Sequence, residues 1–141
     1  MKKVITIELL TSFLILVFGY TAFSKLLTYS SFRYGLSQAT FISLGAGVLA
    51  FAIPLAEPVT VLLLLFPATR LQELYASLVL LSVFTVYLLY MVLFVPHLPC
   101  SCGGVISNMS WQQHIVFNEA FIGLTVVGIR SFKNATSVVF S

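Results

Sequence analysis

Charge is what this sequence has least of. Asp, Glu, Lys and Arg make up 8% of its 141 residues, where soluble domains carry roughly a quarter. Hydrophobic residues fill 60% of the chain, and its mean hydropathy of +1.08 excludes a soluble globular domain and leaves an integral membrane protein. A basic face is lacking too. The net charge of +3 comes from seven Lys and Arg scattered between apolar runs, which excludes a nucleic-acid partner and makes these residues topology signals instead. There is no linker, low-complexity tract or internal repeat, so the chain reads as a single domain over 1–141 with no soluble domain attached. Cysteine is nearly absent: Cys100 and Cys102 are the only two, which excludes a framework of several disulfides.

What fills the chain is apolar runs. A spanning helix needs about 20 such residues, and four stretches supply them, at about 4–23, 41–66, 71–95 and 111–129. The expected fold is all-α, a four-helix transmembrane bundle in the lipid of a bacterial inner (plasma) membrane. The first run is too long for a secretory h-region, and Tyr20-Thr21-Ala22-Phe23 makes no good cleavage site, so it is expected to be a retained helix. With the N-terminus in the cytoplasm, Lys2, Lys3, Arg70, Arg130 and Lys133 lie inside, and Lys25 and Arg33 outside. That bias predicts both termini inside and the 96–112 loop in the periplasm, the compartment where disulfides persist. The sequon Asn134-Ala135-Thr136 then falls on the cytoplasmic side, where it has no role.

Several residues stand out inside or beside these runs. Lys25, at the end of the first helix, is expected to snorkel its ammonium to the outer interface. The segment 28–40 mixes aromatic and polar residues, as an interfacial anchor does. Pro54 and Pro58 should bend the second helix. Between them Glu57 lies about nine residues, or roughly 13 Å, from the end at Phe66, near the membrane midplane. An ionisable group there costs on the order of 3 kcal/mol, so it faces the bundle interior, either as a functional group or as a protonated acid bonded to a carbonyl freed by a proline. The third helix carries Thr85, Tyr87 and Tyr90 in its outer half, where the phenols point into the bundle or lie in the aromatic belt, the belt being the expected place for Tyr90.

The chemistry is concentrated in Pro99-Cys100-Ser101-Cys102-Gly103-Gly104 and the helix start that follows. A disulfide between residues two apart closes almost no loop, so it makes a poor staple. Its small ring constrains the torsions, and strained, exposed bridges are the reactive kind. Ser110 and Gln113 have the spacing of a capping box, which starts the fourth helix near Trp111 and turns its positive end towards the cysteines. Trp111, His114 and Asn118 share one helix face, with Glu119 beside them. His114 is a candidate base or thiolate partner; Trp111 serves equally as an interfacial anchor. The competing reading is a metal site built from Cys100, Cys102, His97 and His114, although zinc motifs usually place two or more residues between the cysteines.

These residues carry a resemblance. Phe23-Ser24-Lys25-Leu26 with Ser31-Phe32-Arg33, Pro54-Leu55-Ala56-Glu57, and the cysteine motif followed by Trp111-Gln112-Gln113-His114 and Asn118 resemble the MauE/DoxX-like redox-associated membrane proteins over nearly the whole chain. The resemblance implies a four-helix accessory protein related to those of methylamine utilisation, which work beside a periplasmic thioredoxin-like partner in maturing a disulfide-rich subunit. It also implies kinship with quinone-linked disulfide-forming membrane enzymes, so a quinone is the one cofactor it suggests. The single cysteine pair argues against an internal relay between two dithiols, and nothing in the chain points to methylamine itself. The expected function is thiol-disulfide exchange through Cys100 and Cys102 in periplasmic protein maturation, as an accessory factor rather than a stand-alone enzyme. His114 is the proposed base, and Glu57, Asn118 and Trp111 are supporting groups. The alternatives from other classes are a metal-binding membrane protein and a structural subunit of a membrane complex.

Overall fold

The computed structural model describes residues 2–38, 43–95 and 110–139. They form α1 (Lys2–Leu27), α2 (Tyr29–Gln38), a 3-10 turn at Ser43–Gly45, α3 (Ala46–Leu65), α4 (Arg70–Phe94) and α5 (Trp111–Val139). Four of these helices, α1, α3, α4 and α5, are long and apolar enough to cross a membrane, as expected from the sequence. They pack as a ring in the order α1, α3, α4, α5, with α1 closing against α5. The outward faces carry exposed Leu16, Phe51, Val83 and Leu93. Helices that stay apolar on the outside are built for hydrocarbon rather than water.

The helix ends follow from local chemistry. Pro67 drives the residue before it out of the helical region. Phe66 accordingly turns extended, with φ −92° and ψ 121°, and α3 stops at Leu65. The turn into α4 is held by the Thr69 hydroxyl, which donates to the Leu63 carbonyl at 2.7 Å. At the start of α5 the capping box is formed in both directions. Ser110 N donates to Gln113 Oε1 at 3.0 Å, and Gln113 N donates to Ser110 Oγ at 3.2 Å.

Several boundaries differ from the sequence expectation, the end of α1 at Leu27 among them. The 28–40 segment is not merely an anchor: α2 is a ten-residue helix that follows α1 with the turn at Thr28 bridged by backbone bonds, Thr28 N to Ser24 O and Phe32 N to Thr28 O, both 3.0 Å. It packs along α3. The last helix continues to Val139 rather than ending near 129. The apolar run ends there, but no proline or glycine follows to stop the helix, and the Thr136 hydroxyl returns to the Phe132 carbonyl at 2.9 Å. Helix α3 begins at Ala46 rather than near 41, and Pro54 and Pro58 lie inside it.

The interior has two apolar layers. One joins Leu10, Leu14, Phe18, Leu64, Leu74, Leu81 and Ile129; the other joins Phe32, Leu36, Ala46 and Ala50. The first needs α1 and α5 to approach closely, and Gly128 permits it. A Cβ on Gly128 would sit 2.9 Å from Leu10 Cδ2. Gly128→Ala should be tolerated, because the end of the Leu10 side chain can rotate aside. Gly128→Phe should lower stability by about 1–3 kcal/mol through overpacking, and Leu10→Ala in the same chain should return most of it. Thermal unfolding in detergent measures both effects.

Candidate functional site

Between the two apolar layers lies a polar one, built by four helices. From α1, Lys25 reaches inward to Glu57 of α3, and Lys25 Nζ and Glu57 Oε1 form an ion pair whose side chains are only 3% and 8% exposed. Two rings flank the ammonium. Its Nζ lies 4.8 Å from the Phe84 centroid and 5.6 Å from that of Phe32, distances at which ring quadrupoles attract a cation. The ring of His114, from α5, also packs edge-on against Phe84 at 5.5 Å and 61°. Phe84 also stacks with Tyr87 one turn along α4, at 5.8 Å and 28°.

The snorkelling expected of Lys25 is therefore corrected. Helix α1 does not end before Lys25 but continues past it to Leu27, so the side chain is held within the bundle. A buried carboxylate opposite gives it a closer partner than the interface does. Glu57 in turn is bonded to Lys25, not to a carbonyl released by Pro54 or Pro58. Neither charge would be tolerated in this position alone.

These groups surround a cavity of about 570 Å³, lined among others by Phe18, Thr21, Lys25, Glu57, Phe84, Tyr87, Tyr90, His114 and Asn118. Asn118 stands one turn below His114 and is buried with it. The Thr21 hydroxyl is used within α1, donating to the Phe18 carbonyl at 3.2 Å. Among the described residues, Asn118 Nδ2 and Glu57 Oε2 are buried without a hydrogen-bond partner. Buried polar groups almost always have one. The site thus gathers a buried ion pair, a buried amide, an imidazole and aromatic walls.

Residues 3–131 match the family model described as Methylamine utilisation protein MauE. The chain belongs to the MauE family. No curated protein and no solved structure matches it.

In this MauE-family chain, the structure brings together three residues singled out in the sequence, Glu57, His114 and Asn118, around one cavity. Trp111, on the same face of α5 one turn above His114, is half-buried. Glu119 is not part of the cluster: it lies about 100° round the helix from Asn118 and is exposed. Cys100, Cys102 and His97 lie outside the described residues, so three of the four residues proposed for a metal set cannot be placed. Sequence reasoning missed Lys25 as Glu57's partner, and it missed Phe84, the ring that touches both Lys25 and His114. The signal for Lys25 was the cost of a lone acid at mid-membrane, which calls for a base on a neighbouring helix.

Proposed function

We propose that this MauE-family membrane protein is an accessory factor in the maturation of periplasmic proteins, exchanging disulfides with a thioredoxin-like or other cysteine-containing partner through Cys100 and Cys102. The observation that carries the reading is the capped start of α5. Its box of hydrogen bonds fixes a helix N-terminus at Ser110, eight residues beyond Cys102 in the chain, and a positive helix end favours a thiolate. In exchange, the thiolate of one cysteine attacks a sulfur of the partner's disulfide and expels the other sulfur as a thiolate. The second cysteine then attacks the mixed disulfide, releasing the reduced partner and leaving Cys100 bonded to Cys102. Run in reverse, the same two steps oxidise the partner.

The test is to trap the intermediate. With either Cys100→Ser or Cys102→Ser, the remaining thiol cannot be resolved internally, and one of the two variants should accumulate a covalent adduct that dithiothreitol dissolves. Mass spectrometry of the adduct identifies the partner. Failure of both variants to form one in cells would sink the exchange reading. One zinc or copper per purified chain, lost in Cys100→Ser, would replace it with the metal reading.

A further inference from the structure

We propose that Glu119 marks a docking face on α5 for a transmembrane helix of another protein, one that carries a lysine or arginine at the same depth. The depth follows from the helix itself. Glu119 stands about 12 Å along α5 from Trp111 and roughly 16 Å from Arg130, and its neighbour Asn118 lines the same cavity as Glu57. That is the middle of the span. Yet the side chain points out of the bundle, for Glu119 is exposed where Asn118 is buried. Ionisable groups at this depth almost always face the bundle interior or a water-filled cavity and find a partner there. The chain has four acidic residues, and the other three are accounted for: Glu8 and Glu57 form ion pairs with Arg70 and Lys25, and Glu73 stands in the first turn of α4. Glu119 has no such partner among the described residues.

Lipid offers this acid no remedy. Acyl chains carry no hydrogen-bond donor, and a Glu side chain is too short to snorkel to an interface about 12 Å away as a lysine does over shorter distances. The surface around the acid suits a helix. Ala120 and Gly123 beside it are exposed, and a Cβ on Gly123 would meet nothing within 4 Å, so no described part of the chain covers them. Small residues let two backbones approach closely in a membrane, where helices associate through packing and interhelical hydrogen bonds. Val116, 68% exposed, continues the face one turn above Glu119.

Charge decides the partner. A second copy of this chain, related by a twofold axis along the membrane normal, would bring its own Glu119 to the interface and set carboxylate against carboxylate. Nor would it bring a base, because its basic residues stand at the membrane ends except Lys25, which is buried against Glu57. A lysine or arginine on a foreign helix meets the acid across the interface, and each charge then offsets the cost of placing the other in hydrocarbon. The inference goes beyond the exchange reading and does not rest on it, since no cysteine enters it.

The test uses a synthetic helix as the partner. The full chain, with Cys100→Ser and Cys102→Ser and a fluorophore at Ser137→Cys, is reconstituted in phosphatidylcholine vesicles with a labelled Leu/Ala helix of about 20 residues. That helix carries either a central lysine or a central leucine, and energy transfer reads its association with the chain. The lysine helix should bind at least about fivefold more tightly than the leucine helix, the gain an interhelical hydrogen bond provides. Glu119→Leu should erase the difference. Gly123→Leu, which keeps the acid but adds bulk to the face, should weaken binding of the lysine helix. Because Glu119 faces outward, Glu119→Leu should leave the unfolding temperature in detergent unchanged or raise it, so the variant remains a fair comparison. Equal binding of the two helices, a preference that survives Glu119→Leu, unchanged binding in Gly123→Leu, or a lower unfolding temperature in Glu119→Leu would each overturn the proposal. So would energy transfer between copies of the chain that Glu119→Leu abolishes, which would make this face a surface for self-association instead.

Discussion

Lys25→Met should cost the bundle about 3–5 kcal/mol, the range found when one member of a buried ion pair is removed. The loss comes less from the missing attraction than from what remains. Glu57 would be left as an unpaired carboxylate in a cavity whose walls are mostly apolar, and the aromatic contacts of the ammonium with Phe32 and Phe84 would go as well. Glu57→Leu should be similarly damaging, because it strands the ammonium. The double variant Lys25→Met/Glu57→Leu removes both charges, replaces them with side chains of similar bulk, and should recover most of the loss, since buried pairs exchanged for apolar residues are often neutral in stability. Reversible unfolding in detergent of the wild type, the two single variants and the double variant gives the coupling directly. Additive losses would mean that the two charges do not depend on each other.

Why the sequence revealed the bundle but not this pair is a matter of range. Each spanning helix is written locally, in a run of apolar residues long enough for a bilayer, and the start of α5 is written in the Ser110 and Gln113 side chains that later form its cap. That Glu57 faces the bundle interior was also legible, because an ionisable group in an apolar run almost always faces inward; His114 and Asn118 were legible only as sharing one face of α5. Lys25 and Glu57 are 32 residues apart, and no local pattern links them. Hydropathy also misplaced the helix ends. It registers where apolar residues stop, at about 23 and 129, whereas a helix stops where its backbone hydrogen bonds are interrupted. Both α1 and α5 continue through polar residues to Leu27 and Val139. Moving the end of α1 is what turned Lys25 from an interfacial residue into a buried one. Phe84 had no signal at all: among the 13 phenylalanines, only the packing of α4 against its neighbours distinguishes it.

The expected membrane orientation predicts an all-or-none pattern of cysteine labelling. Basic residues orient a membrane protein when they stand at the membrane ends, and Lys25 is engaged with Glu57 instead. At one end of the bundle the contacts gather the start of α1, the start of α4 and the last turns of α5. Arg70 is bonded to Glu8 at 2.6 Å, and Lys133 Nζ lies 5.5 Å from the Tyr75 ring centroid. That end carries Lys2, Lys3, Arg70, Arg130 and Lys133. At the opposite end Arg33 lies beside Gly47, near the start of α3, and the 96–112 segment has no Lys or Arg. With Lys25 set aside, the expectation of cytoplasmic termini and an external cysteine segment rests on Lys2, Lys3, Arg70, Arg130 and Lys133 against Arg33, and labelling tests it. In intact bacterial cells treated with a mild reductant, a membrane-impermeant maleimide should label Cys100 and Cys102 almost completely. In a chain with both cysteines changed to serine, Ser137→Cys, exposed near the end of α5, should stay unlabelled until the inner membrane is opened. The reverse pattern would put the cysteine pair in the cytoplasm and remove the periplasmic partner with it.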